Sequence, residues 1–144
     1  MRTNSLKTWL FGSLMIIMLN GFNPAPEQLA TGEDLYREHC KSCHQRNGKG
    51  FFKMYPPLTD PAWVANNEKI VGNLVNGLRG KIMVNGKNFD GEMPAFRYLS
   101  DEEMASLINY IRSEIAGEGT AISASEVSRL RSELEVDSLK ILTK

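Results

Sequence analysis

An all-α domain of short helices joined by long loops is what this sequence predicts, and three observations carry that reading. Apolar residues recur at helical spacing in four separate stretches, between residues 31 and 39, 67 and 78, 100 and 115, and 123 and 134. Two irregular stretches, 45–62 and 81–99, are long for so small a chain. Nothing resembles a β-α-β unit. Loops of that length inside a small domain imply that something other than side chains fills part of the core.

The elements follow in chain order. Arg2 and Lys7 precede an apolar run of eleven residues, Trp9–Leu19, broken only by Gly12 and Ser13. That length fits the core of an export signal and falls short of the roughly twenty residues needed to span a bilayer. Residues 1–21 are therefore expected to be a signal peptide, cut after Gly21 or Ala25, with an uncleaved signal acting as a membrane anchor as the alternative. A compact domain is expected over 28–116 and a helical extension over 117–144. Hydrophobic residues make up 42% and charged residues 24% of the 144-residue chain, a balance that argues against disorder. Formal charge is zero, and about −2 once Arg2 and Lys7 are removed. With no basic stripe, nucleic acid is not an expected partner, and no stable membrane insertion is expected.

Thr31 before Gly32-Glu33-Asp34 is a credible N-cap, with acids placed where the helix dipole favours them. Leu35, Tyr36 and His39 continue the helix, which is expected to deliver the chain into Cys40. Asn67-Glu68 opens a second helix with Ile70, Val71, Leu74, Val75 and Leu78 on one face, and Gly80 is placed to stop it. Asn85-Gly86 suits a small hairpin. Ser100 and Glu103 form a capping box ahead of the clearest stripe, Met104, Leu107, Ile108, Ile111 and Ile115. After a flexible stretch, Ser123 and Glu126 cap a last helix lined by Val127, Leu130 and Leu134.

The motif that carries chemistry is Cys40-Lys41-Ser42-Cys43-His44, the C-x-x-C-H pattern of covalent haem attachment. Each thiol adds to one vinyl group of the porphyrin, and two intervening residues let both sulfurs reach the same ring. The adjacent His44 is then turned beneath it to bind iron. Two rivals are weaker. A redox disulfide normally sits at a strand–helix junction. Zinc needs about four ligands, and here Cys40, Cys43, His44 and His39 crowd together with no second half-site. His39 is expected to point away from the ring, as a surface or partly buried histidine.

With these residues in view, the chain resembles the class I monohaem cytochromes c of bacteria, the Met/His-ligated c-type cytochromes. The likeness lies in Gly32-x-x-Leu35-Tyr36 before the attachment motif, Pro56-Pro57-Leu58 after it, Gly91-Glu92-Met93-Pro94-Ala95-Phe96, and Leu99-Ser100-Asp101-Glu102-Glu103 with Tyr110-Ile111-Arg112. It covers roughly residues 31–115. The resemblance implies the cytochrome c fold around one covalent haem c, with Met93 as second axial ligand of the iron. Pro94 favours extended backbone at Met93 and suits that role; Met54 and Met83, both in loops, are its rivals. It also implies a proline carbonyl, from Pro56 or Pro57, accepting a hydrogen bond from His44, with Pro57 taken as the site residue. Gly32 and Tyr36 are expected to pack where the first helix crosses the last core helix. Trp63 is expected against the haem edge or in plain core packing.

The function so implied is one-electron transfer between exported or membrane redox partners (a dehydrogenase, an oxidase or a quinol-oxidising complex) in the periplasm, without enzymatic activity. Two alternatives are an electron-accepting subunit dedicated to one periplasmic dehydrogenase, docking through its tail, and a haem-based sensor or enzyme with Met93 displaced.

Overall fold

The computed structural model describes residues 29–142, with side chains to residue 137; the expected signal peptide lies outside the described residues. Thr31 caps the first helix, α1 (Gly32–Leu35), its hydroxyl accepting from the Asp34 amide at 3.2 Å. The helix does not stop at Cys40 as the sequence reading expects. It widens into a π-helical turn, Tyr36–Cys40, and continues as α2 (Lys41–His44). One unbroken helical run therefore carries Cys40, Cys43 and His44, and it ends only at Gln45, whose φ is +65°.

A short α3 (Pro61–Val64), absent from the sequence reading, follows Asp60, whose carboxylate accepts from the Ala62 amide at 3.0 Å. Proline at the first helical position costs nothing there, because that amide has no partner inside the helix. Next comes α4 (Asn67–Asn76), capped by Asn66 through a 2.7 Å bond from the Lys69 amide. It ends at Gly77 rather than at Gly80. Strands β1 (Ile82–Val84) and β2 (Lys87–Phe89) pair antiparallel across Asn85-Gly86, both with positive φ, the geometry of a tight hairpin turn. Helix α5 (Asp101–Tyr110) carries the expected capping box and passes into a second π-helical turn, Ile111–Ala116. The long α6 (Ala124–Leu142) closes the chain.

The core forms where α1, α4, α5 and α6 meet, and Val71, Met104, Leu107, Ile108 and Val127 are its fully buried side chains. α1 crosses α5 at Gly32, where any side chain would collide with the Ser106 carbonyl and with Tyr110 Cβ. The Tyr36 and Tyr110 rings stack beside that crossing, 5.6 Å between centroids. This is the packing the sequence resemblance implied for Gly32 and Tyr36.

The tail belongs to this body. Val127 and Leu130 of α6 are buried and Leu134 packs against the core, with α6 lying on both α4 and α5. Polar groups fix its approach. Asn109 exchanges two bonds with the Ile122 backbone, at 3.0 and 2.8 Å. The Arg112 guanidinium, 2% exposed, donates to the carbonyls of Val64, Ala65 and Thr120 and to Asn67 Oδ1. Arg131 reaches the Leu99 carbonyl at 2.6 Å and pairs with Asp101 at 3.2 Å. Leu130→Ala is expected to cost about 2–4 kcal/mol of unfolding free energy in denaturant titration, whereas Val136→Ala, at a position 50% exposed, should stay within about 0.5 kcal/mol. Equal effects would mean that α6 does not cover the domain.

Candidate functional site

The end of α2, the loop after it, the α4–β1 connection and β2 enclose a cleft of about 960 Å³, its open mouth included. Its walls bring together Cys40, Cys43, His44 and Met93 with Leu78, Ile82, Phe89 and Phe96. A deeper recess continues inward past Trp63, Pro57, Leu58 and Leu74, and shares Cys40, His44, Pro56 and Met93 with the outer cleft. A predominantly apolar slot with a few convergent donor atoms is the form of a cofactor site.

His44 is 8% exposed. Its Nδ1 lies 2.9 Å from the Pro56 carbonyl oxygen, which can only accept, so Nδ1 carries the proton and Nε2 is left with its lone pair. Burial lowers the imidazole's pKa, opposed by the Pro56 bond. A neutral imidazole with a free Nε2 is a metal-ready ligand. The carbonyl is that of Pro56, which corrects the choice of Pro57: the chain turns so that Pro57 lines the inner recess instead.

Cys40 is buried and Cys43 half-buried, and both thiols are free. Burial, and next the neighbouring Cys43, push the Cys40 thiol up to about 12. Dithiol redox sites depress the pKa of the attacking cysteine, and burial shifts Cys40 the other way. Among the described residues no group of three or more Cys, His, Asp or Glu side chains is placed to hold a metal ion by itself.

Met93 enters the slot from an extended segment whose backbone pairs with Leu78, N–H to carbonyl in both directions at 2.9 and 3.0 Å. Of its rivals, Met83 is 62% exposed on β1 and Met54, 56% exposed, lies at the rim of the outer cleft. Met93 alone of the three lines both the cleft and the recess. Trp63 lines the recess while its indole N–H donates to the Met83 carbonyl at 3.0 Å and Lys69 sits 4.2 Å over its ring. It thus ties α3 to the hairpin. His39 is partly buried, as expected, but it does not turn away from the cleft: it lines the wall beside Cys40, within 5.8 Å of the Phe96 and Tyr98 rings. The π-helical turn just ahead of Cys40 shifts its bearing, and a sequence pattern drawn for a regular α-helix misses that.

The donor set fits a haem held through Cys40 and Cys43: two cysteines and a histidine on one helical run, an imidazole presenting Nε2, a thioether in the same slot, and apolar walls. Trp63→Phe, which keeps the ring and removes the donor, is expected to cost about 1 kcal/mol in denaturation and to leave haem content unchanged. A fall in haem content would place Trp63 among the groups that hold the cofactor.

Comparison with known proteins bears on the same residues. A family model described as cytochrome c oxidase, cbb3-type, subunit III, matches residues 27–111. Cytochrome c-552 of Thermus thermophilus is 37% identical over 87 residues, covering 57% of this chain and 66% of the relative. The cytochrome c subunit of the quinone alcohol dehydrogenase of Gluconobacter oxydans is 31% identical over 105 residues, covering 69% of this chain but 22% of the relative. Cytochrome c6 of Cyanidium caldarium is 31% identical over 86 residues, 60% of this chain and 71% of the relative. The chain thus spans just under two thirds of that c-552 relative and about a fifth of the dehydrogenase subunit.

Proposed function

Because the chain belongs to the c-type cytochrome family whose model is described as cytochrome c oxidase, cbb3-type, subunit III, a family that binds haem c covalently, we propose that it is a single-haem electron carrier with Cys40 and Cys43 as attachment sites and His44 and Met93 as axial ligands. The observation that carries this reading is the convergence of those four residues on one apolar slot, with His44 Nδ1 already engaged by Pro56. Bound haem supplies one-electron ferric–ferrous chemistry, and filling both axial positions leaves no site for oxygen or peroxide. The protein's part is to anchor, orient and screen the group. Cys40 and Cys43 would fix it to the helix, His44 would be held in orientation by the Pro56 bond, and the apolar lining of Ile82, Phe89, Phe96 and Leu78 would exclude water. On this reading the molecule is not an enzyme. Residues 28–116 are its haem domain, and 117–144 are a covering extension rather than a docking arm.

Exchange with partners is assigned to the segment that begins within the attachment motif and runs on past His44, beside the cleft. Between Glu38 and Asp60 the chain carries Lys41, Arg46, Lys49 and Lys53 and no acid, and among the described residues none of the four has an ion-pair partner. Phe51, Phe52 and Met54 stand exposed in the same segment. A loop with exposed apolar side chains among cations suits an acidic redox partner. Similar proteins include subunits of a dehydrogenase, a bc1 complex and a cbb3 oxidase, which supports redox proteins as donor and acceptor. The expected place is the periplasm or another exported compartment; among the described residues no helix is long and apolar enough to cross a membrane.

Three measurements test the reading. The denatured mature protein should be heavier than its polypeptide by one haem, with colour that acid-acetone does not extract; extractable haem would refute attachment. The ferric protein should show the weak near-red charge-transfer band of sulfur-to-iron bonding, lost in Met93→Ala and kept in Met54→Ala and Met83→Ala. Loss of the band in Met54→Ala or Met83→Ala instead would move the ligand there. Electron exchange with an acidic partner should also slow as salt rises, and a rate indifferent to salt would argue against the basic segment as the contact.

A further inference from the structure

Met93 sits in a segment with little fixation of its own. Pro94 has no amide to donate, and the Met93 side chain is only partly buried. The fixation comes from the end of α4. A helix terminus leaves its last carbonyls without partners inside the helix, and here one of them is spent on this segment: the Phe96 amide donates to the Leu74 carbonyl at 2.7 Å. One turn later Leu78 has left the helix, so its amide goes to the Met93 carbonyl at 3.0 Å while its own carbonyl accepts from the Met93 amide at 2.9 Å. Three backbone bonds thus splint Met93–Phe96, one to the end of α4 and two to Leu78 just beyond it.

Gly77 is the hinge of that splint. Its φ of +71° turns the chain out of the helix, a conformation that favours glycine. It is also where the two segments come closest. A β-carbon on Gly77 would stand 2.5 Å from the Met93 carbonyl oxygen and 3.1 Å from both the Pro94 carbonyl carbon and the Ala95 amide nitrogen. All three are backbone atoms, so no side chain can swing aside. Reaching even 3.0 Å, below which real β-carbons are essentially never found, requires a shift of about 0.5 Å at the residue whose sulfur is to bind iron.

Resting on the assignment of Met93 as axial ligand, we infer that Gly77 is a positioning residue for that ligand: its missing side chain lets the end of α4 and Leu78 hold the Met93 backbone where its thioether could reach the iron. It touches neither haem nor iron and acts only through Met93. The chain carries its own control. Gly117 shares the positive φ, +69°, but a β-carbon there meets nothing within 4 Å. Gly77 pairs its positive φ with a ψ of −175°, a region essentially closed to side chains, whereas Gly117 has a ψ of 14° in the ordinary left-handed region. Gly117→Ala therefore controls for a positive φ alone, while Gly77→Ala disturbs its own turn and, through the close contacts, the Met93 segment.

The test compares wild type, Gly77→Ala and Gly117→Ala as ferric holoproteins, reading the near-red sulfur–iron band, azide affinity and melting temperature. Azide must displace the thioether, so its apparent affinity follows the fraction of protein with that bond open. Gly77→Ala should weaken or abolish the band and tighten azide binding by about tenfold or more. Gly117→Ala should melt lower and leave both as in wild type. A Gly77→Ala protein with an undiminished band and azide affinity within about twofold of wild type overturns the inference, as does a Gly117→Ala protein changed to the same degree as Gly77→Ala. Should Gly77→Ala yield no holoprotein, amide exchange on wild type decides: the Met93 and Phe96 amides should exchange at least about tenfold more slowly than that of Glu92, and equal rates overturn the splint. Absence of the band in wild type is a separate outcome, which refutes Met93 as ligand and the inference with it.

Discussion

The hydrogen bond from His44 Nδ1 to the Pro56 carbonyl, 2.9 Å long, is the interaction on which the arrangement of the cleft depends. It settles the tautomer of the imidazole, and with it which nitrogen faces the slot. It also joins the helical run that bears the cysteines to the loop that forms the neighbouring wall. Around it, backbone bonds hold both parties still. The Gly50 amide donates to the His44 carbonyl at 3.0 Å and the Leu58 amide to the Gly48 carbonyl at 2.7 Å. Just after His44, Gln45 takes a φ of +65° with ψ of 165°, a region that normally belongs to glycine. The Tyr36 hydroxyl donates to the Gln45 carbonyl at 2.7 Å. Strain at that position persists because the buried tyrosine, anchored in the α1–α5 crossing, secures the residue that bears it.

The parts of this architecture that were legible in the sequence are those written in short-range patterns. The capping box at Ser100 and Glu103, the apolar stripe through Met104, Leu107 and Ile108, the Asn85-Gly86 turn and the five-residue attachment motif each depend on neighbours a few positions away. What stayed hidden depends on distant partners. Gly77 and Gly80 are equally good helix stops by local criteria, and the choice falls on Gly77 because Leu78 finds a partner in Met93, fifteen positions on. Pro56 and Pro57 are likewise indistinguishable until the loop's path fixes which carbonyl meets His44. The π-helical turn at Tyr36–Cys40 has no signature in the local sequence, so a regular helical pattern misplaces His39, which lines the cleft.

Arg112 illustrates the same limit from another side. In the sequence it is one polar residue at the end of a helix stripe. In the fold it is a buried cation facing four neutral acceptors from the end of α3, the start of α4 and the segment before α6. Burial lowers its pKa, but guanidinium stays charged in proteins, so the cost of desolvation is offset by hydrogen bonds to carbonyls. Two of those carbonyls, Val64 and Ala65, lie at the C-terminal end of α3, where the helix dipole favours a positive charge. The extension that the sequence left undecided between covering and docking is thereby bound to the same residue that stabilises the helix bearing Trp63.

These networks make the two walls of the slot unequal. On the His44 wall, one helical run supplies both cysteines and the imidazole, and a buried tyrosine, a proline carbonyl and several loop amides hold its exit. On the Met93 wall, three backbone bonds to the end of α4 and Leu78, with an exposed Arg79–Glu92 ion pair, 83% and 62% solvent-accessible at its side chains, hold the strand. Such a surface pair contributes little in water. Local opening draws on the regions with the fewest buried contacts, so the Met93 segment is the one that can part from the slot while the rest of the fold stays closed. The proposed thioether bond would then be made or lost against the stability of a short backbone splint alone. That places control over the second axial position in α4 and its glycine, far in sequence from the motif that captures the haem.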